Sequence, residues 1–246
     1  MKARLAVLLF LLAAPAAAQL LVREPELPPG AAAKWSRAQA AIDADLRAGK
    51  WNRAAAGAQK LLDEMVARVA HGKGTEPLFA RAALARGIAR AGLGRQREAV
   101  WDFWQASAFD PEIGKVDLAA WGETGELLAA KVAEDAERSA NVVHPCTGSD
   151  CDGFVLPKQL ENHEPLFPGG SVQRCTPGPF QVSAVVGEDG WLHHPILAEV
   201  REPTLAFMVL ETLRRNRFQP ATAGGKPVAV LQQFEIHLRL PLCEGF

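Results

Sequence analysis

The chain has 246 residues with 27 basic and 28 acidic side chains, so its formal net charge is −1. No run of Lys and Arg accompanies this near-neutral balance, which argues against nucleic acid as the partner. The length is enough for one or two domains.

The first predicted element is a secretory signal peptide, residues 1–18. Lys2 and Arg4 precede a short apolar run, and Ala16–Ala18 offers the small-residue pattern of a cleavage site. The run is too short to span a bilayer comfortably, because a spanning helix needs about 20 apolar residues. We therefore expect export to the periplasm, with an uncleaved inner-membrane anchor as the alternative. Residues 19–33 are rich in Pro and predict an extended lead-in.

Residues 34–140 predict a helical domain, because Ala, Leu, Arg and Glu dominate and apolar residues recur at helical spacing. Within it, Gly87–Pro111 resembles a tetratricopeptide repeat, with Gly87 and Gly94 expected to flank the turn between two helices. Residues 47–62 resemble this unit, and Gly49 occupies the position that corresponds to Gly94.

The repeats depart from the family pattern, since Arg90 stands where the first helix usually has an aromatic residue. A third helix, about 124–138, is expected to cover the open end. Stacked helix pairs of this kind often bind peptides in a groove. A plain helical bundle without a binding groove is the alternative.

Residues 141–178 predict a linker or irregular cap, because Pro, Gly, Asn and Ser are frequent there. The cysteines also begin in this stretch. An exported chain with an even number of cysteines predicts disulfides. Four cysteines allow three connectivities, and their spacing does not choose among them. The four are Cys146, Cys151, Cys175 and Cys243.

Residues 179–246 predict two strands, a helix and a third strand. The first two strands form a hairpin about the turn at 187–190, and Pro203 begins a helix that runs to about Asn216. Apolar and polar residues then alternate from Val228 to Leu240, the pattern of a half-buried strand in an antiparallel sheet.

This order of elements, together with four short motifs, resembles the C-terminal domain of the TonB energy-transducer family. The motifs are PLFP at 165–168, EDG at 188–190, RFQP at 217–220 and GKPV at 225–228. The resemblance implies a sheet with the first strand between the other two. It also implies docking to a short segment of an outer-membrane transporter. The family's membrane anchor and Pro-rich spacer are replaced here by a predicted cleavable signal and a helical domain.

The resemblance also implies a disulfide pairing. In the family fold the first and third strands are antiparallel neighbours, which places the residue before one strand beside the residue after the other. Cys175 precedes the first strand and Cys243 follows the third, so we expect them to pair. Cys146 and Cys151 would form the second disulfide.

The predicted sheet has two different edges. Pro195 lies in the second strand and removes a backbone donor there, as is tolerated at an edge. The third strand keeps its backbone groups and can accept an extended peptide as a further strand. We expect the exposed positions beside that peptide to be Leu231, Gln233, Glu235 and His237. An ordinary protected edge, or a dimer contact, is the alternative.

Other groups of residues are weaker candidates for a metal or catalytic site. Cys146 and Cys151 with His144 and His163 could bind zinc, but the spacing is unusual and the compartment favours oxidation. His193 and His194 are adjacent, so in a regular strand they would point to opposite faces and not share a ligand. No nucleophile or acid–base motif is present, so no enzymatic activity, cofactor or small-molecule substrate is predicted.

The sequence thus predicts an α+β protein: a helical repeat domain followed by a small β-β-α-β domain with a three-stranded antiparallel sheet. The predicted function is TonB-like partner binding in cell-envelope transport, through a peptide of an outer-membrane transporter. The alternatives are a periplasmic scaffold whose repeat groove binds the partner, and an anchored energy transducer if the N-terminus is retained.

Overall fold

The computed structural model describes residues 30–68, 75–143, 153–164, 179–200 and 202–237. The predicted signal peptide, most of the predicted lead-in, the PLFP motif and all four cysteines lie outside these residues. The predicted disulfides therefore stay predictions. Among the described residues, no helix is both long and apolar enough to cross a membrane.

The described chain is of the mixed α+β class, as expected, with helices first and small antiparallel sheets after them. The helices are α1 Ala31–Arg47, α2 Trp51–Arg68, α3 Glu76–Gly92, α4 Gln96–Phe109, α5 Gly122–Ala140 and α6 Pro203–Leu213. Two 3₁₀ turns, Pro111–Lys115 and Leu118–Trp121, connect α4 to α5. The strands are β1 Phe154–Val155, β2 Lys158–Glu161, β3 Phe180–Val186, β4 Leu192–Leu197, β5 Arg217–Gln219, β6 Ala221–Ala223, β7 Lys226–Val228 and β8 Val230–Ile236.

The first four helices form two hairpins with matching turns. Gly49 and Gly94 both have positive φ, 65° and 74°, which glycine adopts without the steric penalty of a Cβ. In both turns the next residue donates its amide five residues back, from Lys50 to Asp45 and from Arg95 to Arg90. The two predicted units therefore end their first helices in the same way.

Gly87 differs from its expected position. It lies inside α3 rather than beside the turn. A Cβ there would be 3.1 Å from the carbonyl oxygen of Ala99 and 3.1 Å from the Cβ of Asp102. Its role is therefore to let α3 and α4 approach closely.

The last helix, α6, is buried along almost its whole length, because apolar residues surround its axis. It contacts α2, α3 and α4 as well as β4. The ring of Phe207 lies 5.4 Å from that of Phe79 in α3 and 6.3 Å from that of Phe109 in α4, centroid to centroid. One continuous hydrophobic core therefore includes both the helical region and the C-terminal region.

A buried charged cluster also joins the two regions. Arg86 of α3 has no exposed side-chain surface, and its Nη2 is 2.7 Å from Oδ1 of Asp102 in α4. The same guanidinium donates to Glu211 of α6. Burial lowers the pKa of Arg86, but the two carboxylates outweigh burial and raise it, so the guanidinium stays charged. Arg90, in the place of the repeat's aromatic, also donates to Asp102.

The main sheet has the order β4-β3-β8 and is antiparallel throughout. The first of its strands, β3, lies in the middle, which is the order that the sequence resemblance implies. Phe180 pairs with Ile236 at one end of the sheet and Val186 with Val230 at the other. The strand predicted from Val228 to Leu240 is described as β8, beginning two residues later, and residues 238–240 lie outside the described part.

The stretch 141–178, expected to be a linker, contributes two strands instead. β1 pairs with β6, and β2 pairs with β5. β6 and β7 form a hairpin whose turn residues, Gly224 and Gly225, both have positive φ, as a type I′ turn requires. Residues 153–164 are therefore part of the C-terminal fold.

Candidate functional site

Among the described residues, strand β8 has a neighbouring strand on only one side over most of its length. β3 pairs with it from Val230 to Ile236. On the other side the described residues supply only Val143, which follows α5, bridges to Val230 in parallel and donates its amide to Ala229 at 2.9 Å. The edge beyond this bridge has no described strand beside it.

The bridge also fixes which backbone groups face outward. The carbonyl of Ala229 points away from β3, towards Val143, and backbone direction alternates along a strand. The N–H and C=O groups of Leu231, Gln233 and Glu235 therefore face outward, whereas those of the even-numbered residues face β3. The side chains at these three positions and at His237 are exposed.

All four residues predicted to lie beside a peptide are thus on an exposed face. Leu231 is the most apolar of them and is 37% exposed. Because Val143 already lies next to the start of β8, the open edge is shorter than expected and begins at about Gln233.

A groove of about 480 Å³ lies beside this open edge. One wall is β8 from Gln233 to His237, and the other is residues 159–164, which include and follow β2. The floor is the C-terminal half of α6 with Asn216. The Asn216 side chain accepts a hydrogen bond from the amide of His163 at 3.0 Å and so ties the second wall to the floor.

The groove has apolar and neutral polar side chains at its floor and two acidic side chains in its walls. Val209 and Leu213 lie at the floor, and Glu164 and Glu235 lie in the walls. No Lys or Arg occurs among the described residues that line it. Such a lining favours an occupant that carries positive charge.

The opposite edge of the sheet, β4, is protected. It contains Pro195, which cannot donate a backbone hydrogen bond, and α4 and α5 pack against it. The sheet therefore offers β8, not β4, for strand addition.

The adjacent histidines of β4 are not arranged as expected. Ser183 pairs with Ile196 and Val185 with His193, so His194 and Pro195 together oppose one residue of β3. This is a β-bulge, and it includes the positive φ of His194, 46°. The expectation that the two imidazoles face opposite ways is wrong here, because both line one cavity beside α4 and α5.

His193 is held between two carboxylates. Its Nδ1 is 2.7 Å from Oδ1 of Asp135, and its Nε2 is 3.0 Å from Oδ1 of Asp189. Burial lowers the pKa of His193, but the hydrogen bonds to Asp135 and Asp189 outweigh burial and raise it to about 9. The imidazolium donates to both, so Arg138, whose Nη1 is 3.2 Å from Nδ1, is a close cation and not a donor.

No group of three or more His, Cys, Asp or Glu side chains suited to a metal ion occurs among the described residues. His163 lies in the groove wall. Its possible zinc partners His144, Cys146 and Cys151 lie outside the described part of the chain.

No family model matches the chain, and the curated proteins and solved structures compared with it gave no match either.

Sequence reasoning found the edge strand but missed the groove beside it. The second wall comes from a stretch interpreted as a linker, and its strands are too short to show periodicity. One feature of the sequence does indicate the bulge. Pro195 directly follows the two histidines, and Pro within a strand often marks a bulge.

Proposed function

We propose that this protein is a partner-binding protein that accepts an extended peptide as an additional strand on β8. The observation that carries the proposal is the outward-facing backbone from Gln233 onward, bordering a groove of about 480 Å³. Main-chain hydrogen bonds to the edge would supply affinity, and the groove would select side chains.

The charge of the groove defines the peptide further. Glu164 and Glu235 lie in its walls, and the apolar side chains of Val209 and Leu213 lie at its floor. Alternate residues of an added strand point to the same face. We therefore expect a peptide with an apolar residue towards α6 and a Lys or Arg near Glu164 or Glu235.

We further propose that the C-terminal region is a TonB-like domain and that the peptide belongs to an outer-membrane transporter. The sequence motifs support this identity, and the position of β3 in the middle of the sheet is consistent with it. The apolar N-terminal segment supports a periplasmic setting. An anchored transducer remains the alternative if that segment is retained.

The scaffold alternative has less support. A repeat groove that binds a partner must be open, whereas α6 already lies against α2, α3 and α4. The Glu211–Arg86 contact and the three packed phenylalanine rings hold α6 there.

The proposal is tested by comparing Gln233→Pro with Gln233→Ala in the full chain. Proline removes one outward N–H without removing a bond to β3, whereas alanine keeps the backbone and removes only the side chain. Linear peptides of about eight residues, selected from a displayed library, serve as probes. We expect the proline variant to bind the selected peptide about three- to tenfold more weakly. The alanine variant should stay within about twofold of the parent chain.

Circular dichroism and thermal unfolding show whether both variants keep the fold. Equal affinity of both variants for the selected peptides would contradict strand addition. So would peptide selection that shows no preference for basic over acidic residues, since the groove chemistry requires one.

A further inference from the structure

Two arginines enclose the ring of Trp191, away from the β8 groove. Arg97 lies in the first turn of α4, Arg217 begins β5, and Trp191 directly precedes β4. The Cζ atom of Arg97 is 3.6 Å from the centroid of the indole ring, and that of Arg217 is 4.0 Å from it. Two guanidiniums at such distances cannot share one face without a clash, so they lie on opposite faces. We call Arg97 and Arg217 the arginine pair.

Neither member of the arginine pair has an ion pair with a described carboxylate. Arg97 donates one hydrogen bond, at 3.5 Å, to the backbone carbonyl of Arg214. Arg217 contacts only Trp191 through its guanidinium, as far as the described residues go. A guanidinium has five N–H donors, so most donors of the pair lack a partner in this part of the chain. Arg97 is exposed and Arg217 is half-buried, so a dissolved anion can reach them.

Three carboxylates near the arginine pair are already bound to other cations. They are Glu98 with Arg90, Glu211 with Arg214, and Asp189 with His193. Glu211 also accepts from Arg86. These contacts leave the two charges of the arginine pair without a counter-ion among the described residues.

The arginine pair also lies close to a third cation, Arg214. Burial is the largest of the causes that lower the pKa of the Arg97 guanidinium, and the charges of Arg214 and Arg217 lower it further. Glu98 and Asp189 act in the opposite direction, but the net direction is downward. Like charges that the fold holds together repel, and an anion bound beside them removes part of that repulsion.

From these observations we propose that the arginine pair binds the phosphate group of a phosphate monoester. The two Cζ atoms are no more than about 7.6 Å apart, so both guanidiniums can donate to oxygens of one phosphate. A phosphate monoester has three terminal oxygens and a charge of about −1.5 to −2 at pH 7, which matches two cations. A lone carboxylate has a single charge and would leave one guanidinium unpaired.

Stacking on Trp191 prepares the arginine pair for such a ligand. The indole fixes both guanidinium planes, so less side-chain entropy is lost when they donate to an anion. The pair joins α4 to β5, so the helical region and the C-terminal region each contribute one cation. The proposal does not rest on peptide binding at β8.

The test is an NMR titration of the full ¹⁵N-labelled chain, following the indole N–H signal of Trp191. Inorganic phosphate and glycerol 3-phosphate are the probes, and acetate at equal ionic strength is the control anion. We expect both phosphates to shift this signal saturably and to bind at least about tenfold more tightly than acetate.

Two variants then locate the binding. Arg97→Gln and Arg217→Gln each remove one guanidinium from the pair and should weaken phosphate binding by about tenfold. The matched control is Arg37→Gln, which makes the same charge change at an exposed residue of α1. It should leave the affinity within about twofold. Circular dichroism checks that the three variants keep the fold.

Vesicles distinguish a lipid headgroup from a soluble ligand. Phosphatidylcholine vesicles that contain phosphatidic acid, a phosphate monoester, are compared with vesicles of equal charge that contain phosphatidylglycerol, a diester. Sedimentation with phosphatidic acid vesicles that Arg97→Gln weakens would assign the phosphate to a lipid. Binding of glycerol 3-phosphate without sedimentation would assign it to a soluble ligand.

Failure of inorganic phosphate, glycerol 3-phosphate and phosphatidic acid vesicles alike would overturn the proposal. Phosphate binding that both Arg97→Gln and Arg217→Gln leave unchanged would do the same. Equal binding of acetate and phosphate, or of the two kinds of vesicle, would show attraction to any negative charge and would also overturn it.

Discussion

At the scale of single residues, His193 links the C-terminal hairpin to the helical region through its charge. It lies in β4, and its strongest contact is with Asp135 of α5. Asp189, in the hairpin turn, holds the other nitrogen. A neutral imidazole can donate from only one nitrogen, so loss of the proton breaks one of these two contacts.

We predict that the free energy of unfolding falls as pH rises from about 6.5 to about 9. The pKa of His193 is 6.5 in its ordinary state and about 9 in the fold, so the folded state binds the proton more tightly. The stabilisation by protonated His193 is complete below pH 6.5, the ordinary pKa, and is lost as the pH rises past the folded-state pKa of about 9. Because Asp189 is 50% exposed, water screens part of its attraction to His193. We therefore expect the free energy of unfolding to fall by about 2 kcal/mol over this pH range.

Urea unfolding at several pH values measures this loss, with His193→Gln as the control. The variant should be less stable at pH 6 and should lack the decline between the two pKa values. An equally steep decline in the variant would show that another group causes it.

At the scale of elements, the two helical hairpins turn in the same way. Gly49 and Gly94 share positive φ and the same backbone hydrogen bond across the turn. Neither position is crowded, since the nearest atom to an added Cβ is at 3.9 Å for Gly49 and none lies within 4 Å for Gly94. A substitution there therefore tests backbone conformation and not packing.

We predict that Gly49→Ala and Gly94→Ala each lower the free energy of unfolding by about 1 kcal/mol, because L-residues are strained at positive φ. Gly114→Ala is the matched control: its φ is not positive and its surroundings are open. It should change stability by less than about 0.5 kcal/mol. Equal effects at all three positions would contradict the assigned turns.

The elements that sequence could predict are those long enough to show a period. β3 alternates from Phe180 to Ala184, and α6 is apolar almost all round, which indicates a helix buried on every side. β5, β6 and β7 have three residues each, and β1 has two, too few to alternate recognisably. The second wall of the groove lies within residues 141–178, whose composition predicts a linker or irregular cap, so it could not be predicted from the sequence.

Only the β8 side of the candidate site could be predicted from the sequence. The exposed positions of β8 follow from alternation along a strand. The bridge from Val143, however, depends on where the chain travels after α5, and no local pattern encodes that path. The pairing of Arg86 with Glu211, 125 residues apart in sequence, is likewise a consequence of tertiary packing.

At the scale of the whole molecule, the helical region and the C-terminal region share one core. Phe207 of α6 packs between rings of α3 and α4, and Glu211 reaches a buried arginine. Domains with separate cores can unfold separately, whereas elements that share a core tend to unfold together.

We predict a single unfolding transition for both regions. Five of the six tryptophans lie before position 141, so their fluorescence reports the helical region, and amide signals of β8 report the sheet. Phe207→Ala should lower the free energy of unfolding by about 3–5 kcal/mol by either probe. Leu160→Ala, at a side chain 60% exposed, should change it by less than about 0.5 kcal/mol. Two separated transitions would contradict a shared core.

The open edge of β8 is the centre of the proposed function, and hydrogen exchange of the full chain tests it most directly. On addition of a selected peptide, the amides of Gln233 and Glu235 should become protected. The amides of Gln232 and Phe234 should change little, because they already face β3. Protection confined to the surfaces of the helices, with exchange at Gln233 and Glu235 unchanged, would contradict strand addition on this edge.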